Sequence, residues 1–152
     1  MLVVKRCLIG LGALVVIAGL IIGYVVLESF KAADEGEMFA ERFFTSFSEA
    51  WSVAAVEDRM TEDNVTQFNS AEGEKVLAQL ASFGQLQRIE GFTLVGHSIT
   101  PMGSLTACEF MGQFQNGQLA VRMILLGRGN EMKLKDMALM PVGQAPQPAH
   151  ST

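Results

Sequence analysis

Four side chains outside the chain's apolar N-terminal run have the type and setting to move a proton: Asp136, His97, Glu90 and Glu109. Such a site needs a carboxylate or imidazole base within hydrogen-bond reach of its substrate, together with a donor for the oxyanion that forms. The donor is hard to find. The only tyrosine, Tyr24, lies in the apolar run, and the second histidine, His150, sits in a tail rich in Pro, Ala and Gln. Two histidines this far apart, with Cys108 on an apolar strand face, make no metal constellation. There is no glycine-rich phosphate loop and no nucleophile elbow. No cofactor and no metal are expected.

The candidates are unequal. Glu109 falls on the outward face of its strand, diagonal to Arg122, where a surface ion pair is the ordinary role. His97 is in phase with Val95 and Ile99 on a strand that ends nearby, and a partly exposed structural histidine is the commoner outcome. Asp136 is inward, near Val121, if the last strand runs without interruption. A carboxylate buried there would have a raised pKa and could act as a base. Burying it unpaired is costly, so a bulge that turns Met137 and Leu139 inward and leaves Asp136 exposed is the expected arrangement. The catalytic assignment is therefore none, with Asp136 and His97 held as weak candidates.

The element that decides where any of these residues work is the run 8–27, which carries no charge and no proline. At 1.5 Å per residue, about 20 helical residues cross a hydrocarbon core of roughly 30 Å. Lys5 and Arg6 precede the run, so residues 1–7 stay in the cytoplasm and the rest of the chain is exported. A cleaved signal is the competing reading. Its apolar region is shorter and needs small residues before the cut, yet cleavage after Ala33 or Ala32 would put Lys31 or Phe30 at the critical position. Cys7 precedes the run and is no lipid-attachment cysteine. Gly12, Gly19 and Gly23 stack on one helix face, a pattern that suits a partner helix, although glycine is common in membrane helices generally.

From Lys31 onward there are 15 Asp and Glu against 9 Lys and Arg, a balance that argues against nucleic acid as a partner. Of these acids, 11 fall within residues 31–83, as expected of solvated helical faces. Cys7 and Cys108 lie on opposite sides of the expected membrane, so Cys108 is read as a lone, buried, inert thiol.

Phe39, Phe43, Phe47 and Trp51 recur every fourth residue, predicting a core helix over residues 33–57. The sequence allows this helix either to continue from the membrane helix or to break near residues 34–36, where Gly36 could serve as a joint. Thr61 opens a short helix around residues 65–68, and Ser70 caps another that Gly84 ends. Then the period changes to two. Residues 86–99 form a strand whose alternation slips near Gly91, and residues 105–126 form a hairpin. With Asn116 and Gly117 as a type I′ turn, Phe114 opposes Leu119, Phe110 opposes Met123 and Cys108 opposes Leu125. Residues 131–140 complete the sheet. The predicted class is α+β: an N-terminal transmembrane helix, then three helices packed on a bent four-stranded antiparallel sheet. The exported domain is 33–141 and the tail 142–152 is flexible.

This order, with Phe83, Gly84, Gln85 and Leu86 at the switch, Phe114, Gln115, Asn116 and Gly117 at the hairpin, and Met132, Lys133 and Leu134 in the last strand, resembles the cystatin-like cone of the nuclear-transport-factor-like superfamily. More narrowly, it is similar to small membrane-anchored bacterial proteins of unknown function built on that cone. The resemblance covers residues 39–140. It implies a superfamily that hosts isomerases, dehydratases, binding domains and assembly modules, so it does not choose a function. The expected role is a non-catalytic interaction or ligand-sensing module of the cell envelope, in a bacterial inner membrane. Its partners would be the bilayer and an envelope protein or second copy. The alternative is a small enzyme resembling ketosteroid isomerase or scytalone dehydratase, using Asp136 or His97.

Overall fold

The computed structural model describes the backbone of residues 2–143, and side chains at residues 20, 22–24 and from Val26 onward. Among the described residues there are three α-helices and one four-stranded antiparallel sheet. They are α1 (Leu2–Ala50), α2 (Glu62–Phe68), α3 (Ala71–Leu80), β1 (Leu86–Thr100), β2 (Gly103–Phe114), β3 (Gly117–Leu126) and β4 (Lys133–Pro141). The strands lie in chain order, β1-β2-β3-β4. Among the described residues no helix is long and apolar enough to cross a membrane. The expected span, residues 8–27, falls mostly on side chains outside them, as do Gly12 and Gly19. The tail from residue 144 lies outside them altogether.

The expected membrane helix followed by three further helices is corrected in one respect: the first two are a single helix. Gly36 is no joint. It is buried where α1 crosses the sheet, and a Cβ there would lie 3.2 Å from the Phe92 ring and 3.8 Å from Leu125. The glycine lets the helix approach the sheet closely. One stripe of α1, with Ala40, Phe43, Phe44 and Phe47 buried, enters the core, and the buried Trp51 follows just past its end.

α1 stops at Ala50, seven residues short of the predicted end. Trp51 has φ +46°, a left-handed conformation that a bulky residue adopts at a cost. Its indole is held in compensation, buried and donating from Nε1 to the Gly84 carbonyl at 3.0 Å. The reversal returns Val53, Val56 and Met60 to the core. Met60 then forms an isolated parallel bridge with Leu134. The Leu134 carbonyl accepts both the Thr61 N–H at 3.0 Å and the buried Asn64 side-chain amide at 3.0 Å, which fastens α2 to β4.

Ser70 caps α3 as expected, its hydroxyl accepting the Gly73 N–H at 3.1 Å. Propensity alone would favour Gly73→Ala by ~1 kcal/mol. Here a Cβ would run into the backbone carbonyls of Gln67 and Phe68. The variant should therefore lose about 1–3 kcal/mol in urea unfolding. A stabilised Gly73→Ala would mean that the α2–α3 corner is looser than this.

The β2–β3 register differs from prediction by two residues. Phe114 opposes Gly117, Phe110 opposes Val121 and Cys108 opposes Met123. The turn residues are Gln115 and Asn116, neither with positive φ, so it is not the type I′ turn. Contacts distant in sequence hold it. The Asn116 N–H donates to the Phe83 carbonyl at 2.9 Å, its side-chain amide donates to the Ser82 carbonyl, and the Phe83 ring packs so close to Gly117 that a Cβ there would lie 3.0 Å from it. A shift of two preserves facing. Cys108, Phe110, Phe114, Leu119, Val121, Met123 and Leu125 are all inward and buried, as expected.

β1 is irregular near Gly91, as its alternation suggested. Its pairing with β2 slips at three places, one of them between Glu90 and Thr93, where Gly91 has φ +63°. β4 slips once. Ile124 pairs with Asp136 but Leu125 pairs with Leu134, so Lys135 is a one-residue bulge. Met137 and Leu139 become half-buried and Asp136 is exposed.

Candidate functional site

The inner face of the sheet is occupied by the protein's own side chains. Phe44 lies at the centre, its ring 5.5 Å from Phe43, 5.7 Å from Phe110 and 6.2 Å from both Phe47 and Phe114. Trp51 closes one end against Phe47 and Phe114 at 5.3 and 5.5 Å. Met60, Met123, Leu125 and Leu134 fill the space below, each essentially without solvent exposure. The core is apolar and continuous, and among the described residues no cluster of polar groups of the kind that orients a ligand converges on it.

The four candidates are dispersed. Asp136 is exposed on β4, with Oδ1 accepting the Met137 N–H at 2.8 Å. An asparagine oxygen could accept the same bond, so Asp136→Asn should stay within about 0.5 kcal/mol of the parent in denaturant unfolding. Glu109 sits directly opposite Arg122 on the outer face, their ion pair at 3.5 Å. Glu90 pairs with Arg88 and accepts from the Gln113 amide at 3.0 Å.

His97 has the most structured surroundings. Its Nδ1 meets the buried Thr106 hydroxyl at 3.1 Å, while Nε2 is enclosed without a hydrogen-bond partner. It lines an open groove of about 500 Å³ between β1 and α1. The α1 wall of that groove is Tyr24, Glu28 and Ser29, so the tyrosine set aside on sequence grounds shares a groove with the best-placed histidine. Glu28 is engaged by Arg128 at 2.6 Å, and Glu35 lies 3.9 Å from the same guanidinium. The hydrogen bond to Glu28 raises the Arg128 pKa further and keeps it charged.

A second open groove of about 280 Å³ is lined by Arg42, Arg59 and Lys133 but also by Glu35 and Asp58. The mixed signs give it no preference for an anion. Among the described residues no group of three His, Cys, Asp or Glu side chains could hold a metal ion. Around Gly23, nothing lies within 4 Å of where a Cβ would sit.

Cys108 is fully buried, and burial pushes its thiol up to about 11, opposed by a hydrogen bond with the Met123 backbone and reinforced by Glu109. The raised value favours the protonated fold. This contribution is complete below the unfolded-state pKa, near 9, and is lost as pH rises toward 11. At pH 8 iodoacetamide should leave Cys108 unmodified in the native chain and alkylate it on unfolding.

Compared with family models, with curated proteins and with solved structures, the chain matches none.

Proposed function

We propose that this chain is a membrane-tethered, non-catalytic interaction module of the cell envelope. On this reading the sheet with α1–α3 is a cystatin-like cone, anchored in a bacterial inner membrane by residues 8–27 with its N-terminus inside and the domain in the periplasm or outside the cell. The observation that carries the reading is the filled inner face: Phe44 and its neighbouring rings occupy the volume that a cone enzyme leaves for substrate. The charge-free run supports the tether, as does the helix that leads from it without a break into the core. A partner would then be met at the surface or through the membrane helix, whose Gly12, Gly19 and Gly23 suit a second copy or another envelope protein.

Membrane extraction tests the tether. The full-length chain should resist alkaline carbonate. The double substitution Val16→Asp and Ala18→Asp, each carboxylate opposing insertion by roughly 2.5–3.5 kcal/mol at mid-bilayer, should release it. A parent chain that is itself extracted by carbonate would overturn the proposal.

One observation favours a second reading, a small isomerase- or dehydratase-like enzyme: His97, its ring oriented by Thr106, shares its groove with Tyr24. That enzyme would use His97 as base and the Tyr24 phenol as oxyanion donor. Asp136, at the opposite edge of the sheet, would have no part in it. Any turnover found should then vanish in both His97→Ala and Tyr24→Phe; turnover that survives both would exclude this site.

A further inference from the structure

We infer that the β1–β2 hairpin tip, residues 99–103, is a second membrane contact that sets Ile99 and Met102 into the outer interface of the bilayer beside α1. The inference rests on the tether proposed above and goes beyond it, because it fixes how the domain sits on the membrane.

The helix sets the height of the tip. α1 is unbroken from Leu2 to Ala50, so every residue on it has a defined distance from the apolar run. Phe92 packs beside Gly36, and residues 94–99 share a groove with Tyr24, Glu28 and Ser29. β1 therefore runs along α1 toward the helix N-terminus. From Gly36 to Tyr24 the helix descends about 18 Å at 1.5 Å per residue. From Phe92 to Ile99 a strand covers at most about 23 Å at 3.3 Å per residue. Ile99 thus comes level with Tyr24, inside the last turn of the charge-free run, and Met102 lies at the turn beyond it.

The tip itself is apolar. No Asp, Glu, Lys or Arg occurs between Glu90 and Glu109. At the turn Ile99 is 79 % exposed and Met102 77 %, with Pro101 between them. A hairpin end that met only water would ordinarily carry charge, since an apolar edge strand invites aggregation. At the tip the Thr100 hydroxyl donates to the Gly103 carbonyl at 2.8 Å, and just behind it the Ser104 carbonyl accepts the Gly127 N–H at 2.8 Å, while the Ser104 hydroxyl is buried without a partner among the described residues. Hydrogen bonds satisfied internally lower the cost of entering an apolar phase.

Charge resumes just above this level. One turn above Tyr24, Glu28 binds Arg128 of the β3–β4 connection, and Glu35 lies beside it. The apolar tip and Tyr24 lie on one side of this charged layer and the folded core on the other. That is the ordering of an interface, with aromatic and aliphatic groups toward the acyl chains and ion pairs among the headgroups.

The test uses the full-length chain carrying Cys7→Ser, leaving the buried Cys108 in place, reconstituted in vesicles of phosphatidylethanolamine and phosphatidylglycerol. An environment-sensitive fluorophore is attached through Met102→Cys or, as the reference, through Gln118→Cys at the opposite end of the sheet. Both positions are exposed, so the fold should tolerate either. The Met102→Cys probe should be quenched by lipids brominated high on the acyl chain and shielded from aqueous iodide; the Gln118→Cys probe should behave in the opposite way. Protein that floats with the vesicles while the tip probe remains open to iodide would overturn the tip contact and leave the tether standing. A tip probe shielded from both quenchers would also overturn it, by indicating a second copy as the cover. Protein that fails to float would remove tether and tip contact together.

Discussion

Phe110→Asp should abolish the folded domain. The ring is buried between Phe44 at 5.7 Å and Phe92 at 6.1 Å. Its removal costs about 3–5 kcal/mol before the carboxylate is counted. An unpaired charge in that position adds several kcal/mol, and the sum is comparable with the whole 5–15 kcal/mol that holds an ordinary domain together. Urea unfolding of the detergent-solubilised chain should find no native baseline. Gln113→Asp, three residues on and on the other face, is the contrast. It loses the bond to Glu90 and sets a like charge beside it, so a decrease of about 1 kcal/mol is expected. A milder effect at Phe110 than at Gln113 would put the sheet inside out.

Phe44→Ala should cost about 3–5 kcal/mol as well, for a different reason. No charge is introduced; the centre of the core is emptied. Phe44 touches rings from both α1 and β2, and these neighbours cannot all close over the gap. A dry apolar cavity of this kind binds small apolar molecules. Benzene should therefore raise the melting temperature of Phe44→Ala and leave the parent unmoved. A parent protein stabilised by benzene would contain the pocket that the non-catalytic reading denies.

Much of the fold was legible because local pattern and tertiary demand agree. The alternation of Cys108, Phe110, Gly112 and Phe114 against Leu119, Val121, Met123 and Leu125 identified the core face whatever the register. The Lys135 bulge followed from the cost of burying Asp136. Register itself was not legible. Asn116 and Gly117 form a strong local turn signal, but Phe83 and Ser82, more than thirty residues earlier, hold the chain in another turn. Gly36 looked like a joint because a glycine in a helix has two explanations, and only the position of Phe92 distinguishes them. The reversal at Trp51 left no local signal, since Trp51 is itself in phase with Phe39, Phe43 and Phe47.

The candidate site was the least legible part. His97 was identified as a residue able to do chemistry, but its neighbours were not. Tyr24 and Glu28 lie about seventy residues away in sequence, and Tyr24 had been assigned to lipid. Only the continuous helix beside β1 brings them into the same groove.

The central claim, a folded domain held outside the cytoplasm on an uncleaved helix, is tested most directly by protease added to intact bacterial spheroplasts. The chain would carry one epitope before Met1 and another after Thr152. Without lysis the C-terminal epitope should disappear, while the N-terminal epitope survives on a membrane-bound fragment containing residues 8–27. A C-terminal epitope protected until the cells are lysed would reverse the orientation, and an N-terminal epitope already separated from the domain before protease is added would mean that the segment is cleaved.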